Sequence, residues 1–151
     1  GYQLAHAASA HGIHVAETLA GEHPPLVRQE NITRCIYTRL EAASIGLSEE
    51  QAKEAGYDVK VTQSAFQGNA KALIKGENEG IIKLVIDQTY GEILGAFIVG
   101  PHATDLIGEV LGVKASEGTI YELSEIIQPH PALLEAIGEG ADAYFGSAIH
   151  M

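Results

Sequence analysis

Two apolar runs, Gly80-Ile-Ile-Lys-Leu-Val-Ile-Asp87 and Glu92-Ile-Leu-Gly-Ala-Phe-Ile-Val99, stand on either side of Gln88-Thr-Tyr-Gly91. Each has the length and the β-branched content of a strand. The pattern predicts a hairpin with a four-residue loop. A hairpin at the centre commits the chain to antiparallel pairing, so its flanks decide the rest. Upstream, Thr33–Thr38 reads as a short strand, and a second extended piece runs to Ile45. Val59 and Val61 alternate with Asp58, Lys60 and Thr62, the pattern of a half-buried strand. Ser48 with Gln51 forms a capping box for a short helix ending at Gly56, and Gly68 to Leu73 reads as a helical turn.

Downstream of Gly100-Pro101 the period becomes helical. Leu106, Ile107, Val110 and Leu111 share one face of a helix from Thr104 to about Lys114. Thr119 and Glu122 cap a second helix, Ile120 to Ile127, and a last helix over about 131–145 carries Leu133, Ile137, Ala141 and Tyr144. Strands first and helices last predict an α+β domain: an antiparallel sheet with helices packed on one face. The start of the chain differs. Residues 2–20 read as a helix with Leu4, Ala8, Val15 and Leu19 on one face and Gly12 in its gap. Gly21 and Pro24-Pro25 end it, and residues 21–31 read as a linker. The first 20 residues are therefore expected to belong to a structural unit separate from the rest of the chain.

At 151 residues the chain suits one domain with a real core. Acids outnumber bases 20 to 9, giving net charge −11. That balance argues against nucleic acid and anionic membrane surfaces as partners, because both need clustered Lys and Arg. No apolar run is long enough to span a bilayer, and no signal peptide is read. Cys35 is the only cysteine, which excludes an internal disulfide and a Cys-x-x-Cys pair. A cytoplasmic, reducing location is the expectation, and the sequon Asn31-Ile-Thr33 carries little weight without a secretory signal.

The chemistry concentrates in Gln128-Pro-His-Pro-Ala-Leu-Leu-Glu135. Pro131 suits the first position of a helix, which puts His130 at the N-cap and Glu135 on the second turn. Helical side chains lean toward the N-terminus, so the carboxylate reaches back to the imidazole. An acid that holds and charges an imidazole is the core of a general acid/base device. No glycine-flanked serine elbow or reactive cysteine accompanies it, which sets aside a hydrolase. The bland alternative is an N-cap histidine beside an unrelated surface acid.

Four segments together resemble the C-terminal part of the flavin-dependent pyridine nucleotide-disulfide oxidoreductases, most closely their dihydrolipoamide dehydrogenase branch. They are Gln3-Leu-Ala-His6; Cys35-Ile-Tyr-Thr38 through Glu41 to Gln51; Gly100-Pro-His-Ala-Thr-Asp-Leu-Ile107; and His130-Pro-Ala-Leu-Leu-Glu135 with Gly146-Ser-Ala-Ile-His150. The resemblance implies that residues 1–25 are the last helix of an FAD-binding domain plus a linker, and residues 26–151 a dimerisation domain. It implies a homodimer in which His130 is the base and Glu135 its orienting acid, serving the partner subunit's dithiol while electrons pass to disulfide, flavin and NAD. Leu4 and Ala5 are the residues it places against the flavin. A 2-oxo acid dehydrogenase complex is a further implied partner.

The chain has no G-x-G-x-x-G and one cysteine, so the expectation is a fragment or free-standing derivative, inactive and without bound FAD or NAD by itself. Alternatives are a non-catalytic homodimerisation module, or the same domain of a glutathione, thioredoxin or mercuric reductase. Departures from the family pattern are Gln128-Pro129 where many relatives have a histidine two before the base, Ala132 after the His-Pro pair, and Arg39-Leu40 before Glu41. No metal site is assigned. His6, His11 and His14 read as exposed helix histidines, His102 and His150 as structural or interface residues, and Cys35 as a buried small hydrophobe. Gly138 and Gly140 weaken the last helix against alanine, for which close packing across a dimer interface or local flexibility are the two readings.

Overall fold

The computed structural model describes residues 1–150 and divides the chain at Ile32 into two compact units. The first holds helix α1 (Ala5–Leu19), which starts without a side-chain cap on Leu4. Gly21, at φ +88°, takes the chain out of the helix through the left-handed region that glycine tolerates best. The stretch read as a linker folds back on α1: His14 Nδ1 lies 3.1 Å from the Pro25 carbonyl oxygen. It also contains a single 3₁₀ turn, Gln29–Asn31.

The second unit is the predicted α+β domain. Strands β1 (Arg34–Ile36), β2 (Glu41–Gly46), β3 (Val59–Ala65), β4 (Ile81–Asp87) and β5 (Ile93–Gly100) form one five-stranded sheet in the order β1-β2-β5-β4-β3. Every neighbouring pair is antiparallel. The central hairpin sets the register, with Ile82 opposite Ile98 and Leu84 opposite Ala96. Its loop closes on Asp87, whose N–H donates to the Glu92 oxygen at 2.9 Å and whose Oδ2 accepts the Tyr90 N–H at 3.1 Å. A register shift between Val85 and Ile86 breaks the alternation. Ile93 therefore enters the main core while its neighbour Leu94 packs with Val85 on the other side.

Helices α2 (Glu49–Glu54) and α3 (Ala70–Lys75) connect the strands; α4 (Ala103–Ala115), α5 (Ile120–Glu125) and α6 (Glu135–Phe145) come after them. Both predicted capping boxes form. Ser48 Oγ accepts the Gln51 N–H while Gln51 Oε1 accepts the Ser48 N–H, and Thr119 and Glu122 do the same at α5. The main core lies between the sheet and the last three helices. Ile45, Phe66, Ile82, Leu84, Ile98, Val110, Leu123 and Ile137 are fully buried there. Cys35 is half-buried against its edge. The short α2 covers part of the opposite face through Ala52, against Val85 and Leu94.

Helix α6 is tied to the edge strand β3 by two buried hydroxyls. Thr62 Oγ1 donates to the Gly140 carbonyl at 2.7 Å and Ser64 Oγ to that of Ala136 at 2.5 Å. Each glycine of the pair has a close neighbour within this chain, Ser64 of β3 for Gly140 and Gln128 for Gly138. A Cβ at Gly140 would lie 3.2 Å from Ser64 Oγ, and one at Gly138 would lie 2.7 Å from Gln128 Oε1. Several boundaries differ from expectation: α1 starts at Ala5 rather than residue 2, β1 is confined to Arg34–Ile36, β3 continues to Ala65, α3 runs from Ala70 to Lys75 rather than Gly68 to Leu73, α5 stops at Glu125 rather than Ile127, and α6 starts at Glu135 rather than Pro131.

Candidate functional site

The late start of α6 changes how the pair is made. Residues 130–134 form a turn, His130-Pro131 is a cis peptide bond, and Leu134 is the N-cap. His130 is thus not the helix cap, and Glu135 opens the first turn instead of sitting on the second. The carboxylate itself gives the reason. Glu135 Oε2 accepts the Ala132 N–H at 2.7 Å, closing the turn in place of a helical start. Its other oxygen, Oε1, lies 2.7 Å from His130 Nδ1. One acid thereby fixes both the loop and the ring. Asn69 supports the loop from behind, since its Nδ2 donates to the Ala132 carbonyl at 2.9 Å while its Oδ1 caps α3 through the Ala72 N–H.

The two side chains sit in different surroundings. His130 is 71% exposed, whereas Glu135 is 28% exposed. Partial burial is the largest single influence on Glu135 and pushes its pKa up. The Ala132 N–H, the bond to His130 and the positive charges of His130 and His150 together outweigh it, so the carboxyl titrates below its ordinary value. With Nδ1 turned to the carboxylate, Nε2 is the nitrogen left to exchange protons.

The pair opens on a cavity of about 180 Å³ whose other lining residues are Ala65, Gly68, Asn69, Ala70, Ala136, Glu139 and His150. Sequence reasoning does not join Glu139 and His150 to the pair. A signal exists for Glu139, which comes one helical turn after Glu135 and shares its face. His150 arrives by a chain reversal: Gly146, at φ +76°, ends α6 in the left-handed conformation. Glu139 Oε2 then accepts the N–H groups of Ile149 at 2.7 Å and His150 at 2.9 Å.

The departures from the family pattern have structural places. Gln128 Nε2 donates to Glu109 Oε1 on α4 at 2.9 Å, and burial holds the Glu109 carboxyl above its ordinary pKa despite that bond. Arg39 and Leu40 line a larger cavity of about 340 Å³ with Glu41, Gly76, Glu79 and His102, to which neither His130 nor Glu135 contributes. Glu41 Oε2 there accepts the Thr104 N–H at 2.9 Å and its hydroxyl at 2.6 Å, bonds that lower the Glu41 pKa. His102 Nε2 lies 2.9 Å from Lys75 Nζ.

Leu4 and Ala5 stand at the N-cap and first position of α1, apart in the chain from the His–Glu pair. His6 and His11 are exposed, and His14 is half-buried. Among the described residues no three metal-ligating side chains cluster, and no helix is long and apolar enough to cross a membrane.

Known proteins resemble this chain in sequence and in fold. A dihydrolipoyl dehydrogenase of Bacillus subtilis is 45% identical over 150 residues, covering 99% of this chain and 32% of the relative. That of Zymomonas mobilis is 40% identical over 148 residues, again covering 32% of the relative. The chain thus spans about a third of the length of the curated relatives it matches. In fold, the crystal structure of LpdA from Mycobacterium tuberculosis superposes with a TM-score of 0.87 at 22% identity, over 95% of this chain and 31% of that one. The sequence profile of the pyridine nucleotide-disulphide oxidoreductase dimerisation domain matches residues 32–141. By that match over most of its length, the chain belongs to the pyridine nucleotide-disulphide oxidoreductase dimerisation-domain family.

Proposed function

We propose that this chain is the dimerisation part of a dihydrolipoyl dehydrogenase-like flavoenzyme, and that it lends His130 and Glu135 to the dithiol site of the partner subunit in a homodimer. The observation that carries the reading is an imidazole held at 2.7 Å by a carboxylate while its ring stays 71% exposed. A base so oriented, yet uncovered by its own chain, suits a reacting group that another surface delivers. His130 Nε2 takes the proton of a dihydrolipoamide thiol as the sulfur electrons move toward the enzyme disulfide. Glu135 stays ionised and stabilises the imidazolium that forms. We read residues 1–25 as the end of an FAD-binding domain and 26–151 as the interface domain. The division of the chain at Ile32 and the start of the profile match at residue 32 support a boundary in this stretch.

Leu4 and Ala5 fit the edge of a flavin. The first turn of α1 carries no acidic side chain and Leu4 supplies no side-chain cap, so its N–H groups and the positive helix end suit an electron-rich ring edge. Bound FAD supplies the two-electron relay between dithiol and NAD. The chain lacks a G-x-G-x-x-G loop, so NAD is assigned to no residue in it.

The test uses mixed dimers of the complete enzyme. His130→Gln in both subunits should lower turnover by about 10²–10⁴-fold, the usual weight of a positioned base. Pairing a His130→Gln subunit with one that keeps His130 but lacks the redox disulfide should restore activity. Full turnover in the first enzyme, or none in the mixed dimer, would exclude a base supplied in trans.

A further inference from the structure

The cavity beside His130 and Glu135 has two more titratable walls than the proposed reaction uses. Its titratable lining is His130, Glu135, Glu139 and His150; β3 and the residues leading into α3 contribute only Ala65, Gly68, Asn69 and Ala70. Glu139 does not face solvent as an idle surface acid. One of its oxygens takes two consecutive backbone N–H groups, Ile149 at 2.7 Å and His150 at 2.9 Å. Charge-assisted bonds to backbone donors are among the stronger ones, and a pair on one oxygen fixes both position and direction. Ser147 adds a weaker tether, its Oγ donating to the Asp142 carbonyl at 3.1 Å. Helix α6 thus carries, one turn apart, an acid that holds His130 and an acid that holds the backbone of His150.

We propose that Glu139 is a positioning residue that pins residues 149–150 at the edge of the cavity, so that His150 stands as a second imidazole beside the His130–Glu135 pair. A protonated imidazole so placed favours the ionised form of Glu135, the direction in which the bonds from Ala132 and His130 also act. The consequence for catalysis rests on the acid–base reading of His130 and Glu135; the geometry does not.

The experiment titrates the Glu135 carboxyl by carbon-detected NMR in the 151-residue chain, without any enzyme assay. Three variants are compared with the parent: His150→Gln, Glu139→Ala, and the two combined. An imidazole is protonated where carboxyls titrate, so removing that of His150 should move the Glu135 midpoint upward. Glu139→Ala removes the acceptor of the two N–H groups and should also move it upward, and this direction is diagnostic. Loss of a neighbouring negative charge alone would move the midpoint down, whereas departure of His150 moves it up. In the double variant His150→Gln should add nothing further. The amides of Ile149 and His150 should exchange faster in Glu139→Ala than in the parent.

An unmoved Glu135 midpoint in His150→Gln sinks the proposal, and because His150 is exposed that variant carries little risk to folding. A downward shift in Glu139→Ala, or an undiminished effect of His150→Gln in its background, sinks the positioning role. None of these outcomes depends on whether His130 is the base. A proton-transfer role that fails in the mixed dimers leaves this titration intact, and the reverse also holds.

Discussion

Gly138 stands directly against the side-chain amide of Gln128, so closely that a Cβ at 138 would lie 2.7 Å from Gln128 Oε1 and 3.2 Å from Nε2. That amide also donates to Glu109, linking the segment before His130 to α4. Gly138→Ala gains about 1 kcal/mol of helix propensity. The atoms that must yield are the end of a flexible, half-buried side chain, so the cost is mainly its bond to Glu109, about 1 kcal/mol. We expect the two terms to cancel to within about 1 kcal/mol in urea unfolding. Adding Gln128→Ala should turn the same alanine from neutral to stabilising. Equal effects of Gly138→Ala in both backgrounds would show that the contact is not the cause.

Glu109 should limit stability at neutral pH. Burial raises its folded pKa above the unfolded value. The unfolded chain then loses the proton first as pH rises, so stability falls through the window between the two values. Glu109→Gln retains an oxygen to accept from Gln128 and removes the charge. Its melting temperature should exceed the parent's at pH 7, with the advantage gone below the ordinary carboxylate range of about 4. A pH-independent difference would count against desolvation of the charge.

Glu41 has the opposite sign. The hydroxyl and the N–H of Thr104 hold its folded pKa below the unfolded one. It therefore contributes stability above the unfolded value, lost as pH falls through the folded one. Glu41→Gln at pH 7 should cost roughly 0.5–1 kcal/mol, the usual worth of a negative charge at a helix start. The cost should vanish in acid. Chemical denaturation at pH 7 and at low pH gives the comparison.

Thr62 and Ser64 should hold the candidate site by way of α6. Each donates a buried hydrogen bond to a helix carbonyl. Ser64→Ala and Thr62→Val should each cost about 1 kcal/mol, the central net value for such a bond. The diagnostic readout is local: amide exchange should quicken in α6 more than in β4. Uniform acceleration across the sheet would point to a general loss of stability.

Much of this fold is legible along the chain because its signals are short-range. The hairpin around Gln88–Gly91 and the capping boxes at Ser48 and Thr119 depend on residues two to four apart, and all three form. The start of α6 departs from its sequence pattern for a physical reason. Pro131 satisfies the rule for a first helical residue, but the Glu135 carboxylate competes by binding the Ala132 N–H and the His130 ring. The proximity of His130 and Glu135 is foreseeable from their spacing; the turn that produces it is not. Glu139 and His150 meet only because Gly146 reverses the chain, and no local pattern announces that meeting. Gly138 and Gly140 read as flexible points or interface contacts when only their helix is considered. Their partners, Gln128 and Ser64, lie outside the helix, Ser64 on a strand far upstream, which helical periodicity cannot reveal.

The sheet order has one more consequence. The strand on which α6 rests, β3, is threaded long before α6 itself, and Ser64 and Ala136 are 72 positions apart. Contacts of such separation form slowly, since a large loop must close before they reward it. During synthesis the amino-terminal elements emerge first. The imidazole and its carboxylate therefore find their places only after all five strands have emerged. A nascent chain halted before residue 135 contains the whole sheet and His130, but not the carboxylate that holds the ring.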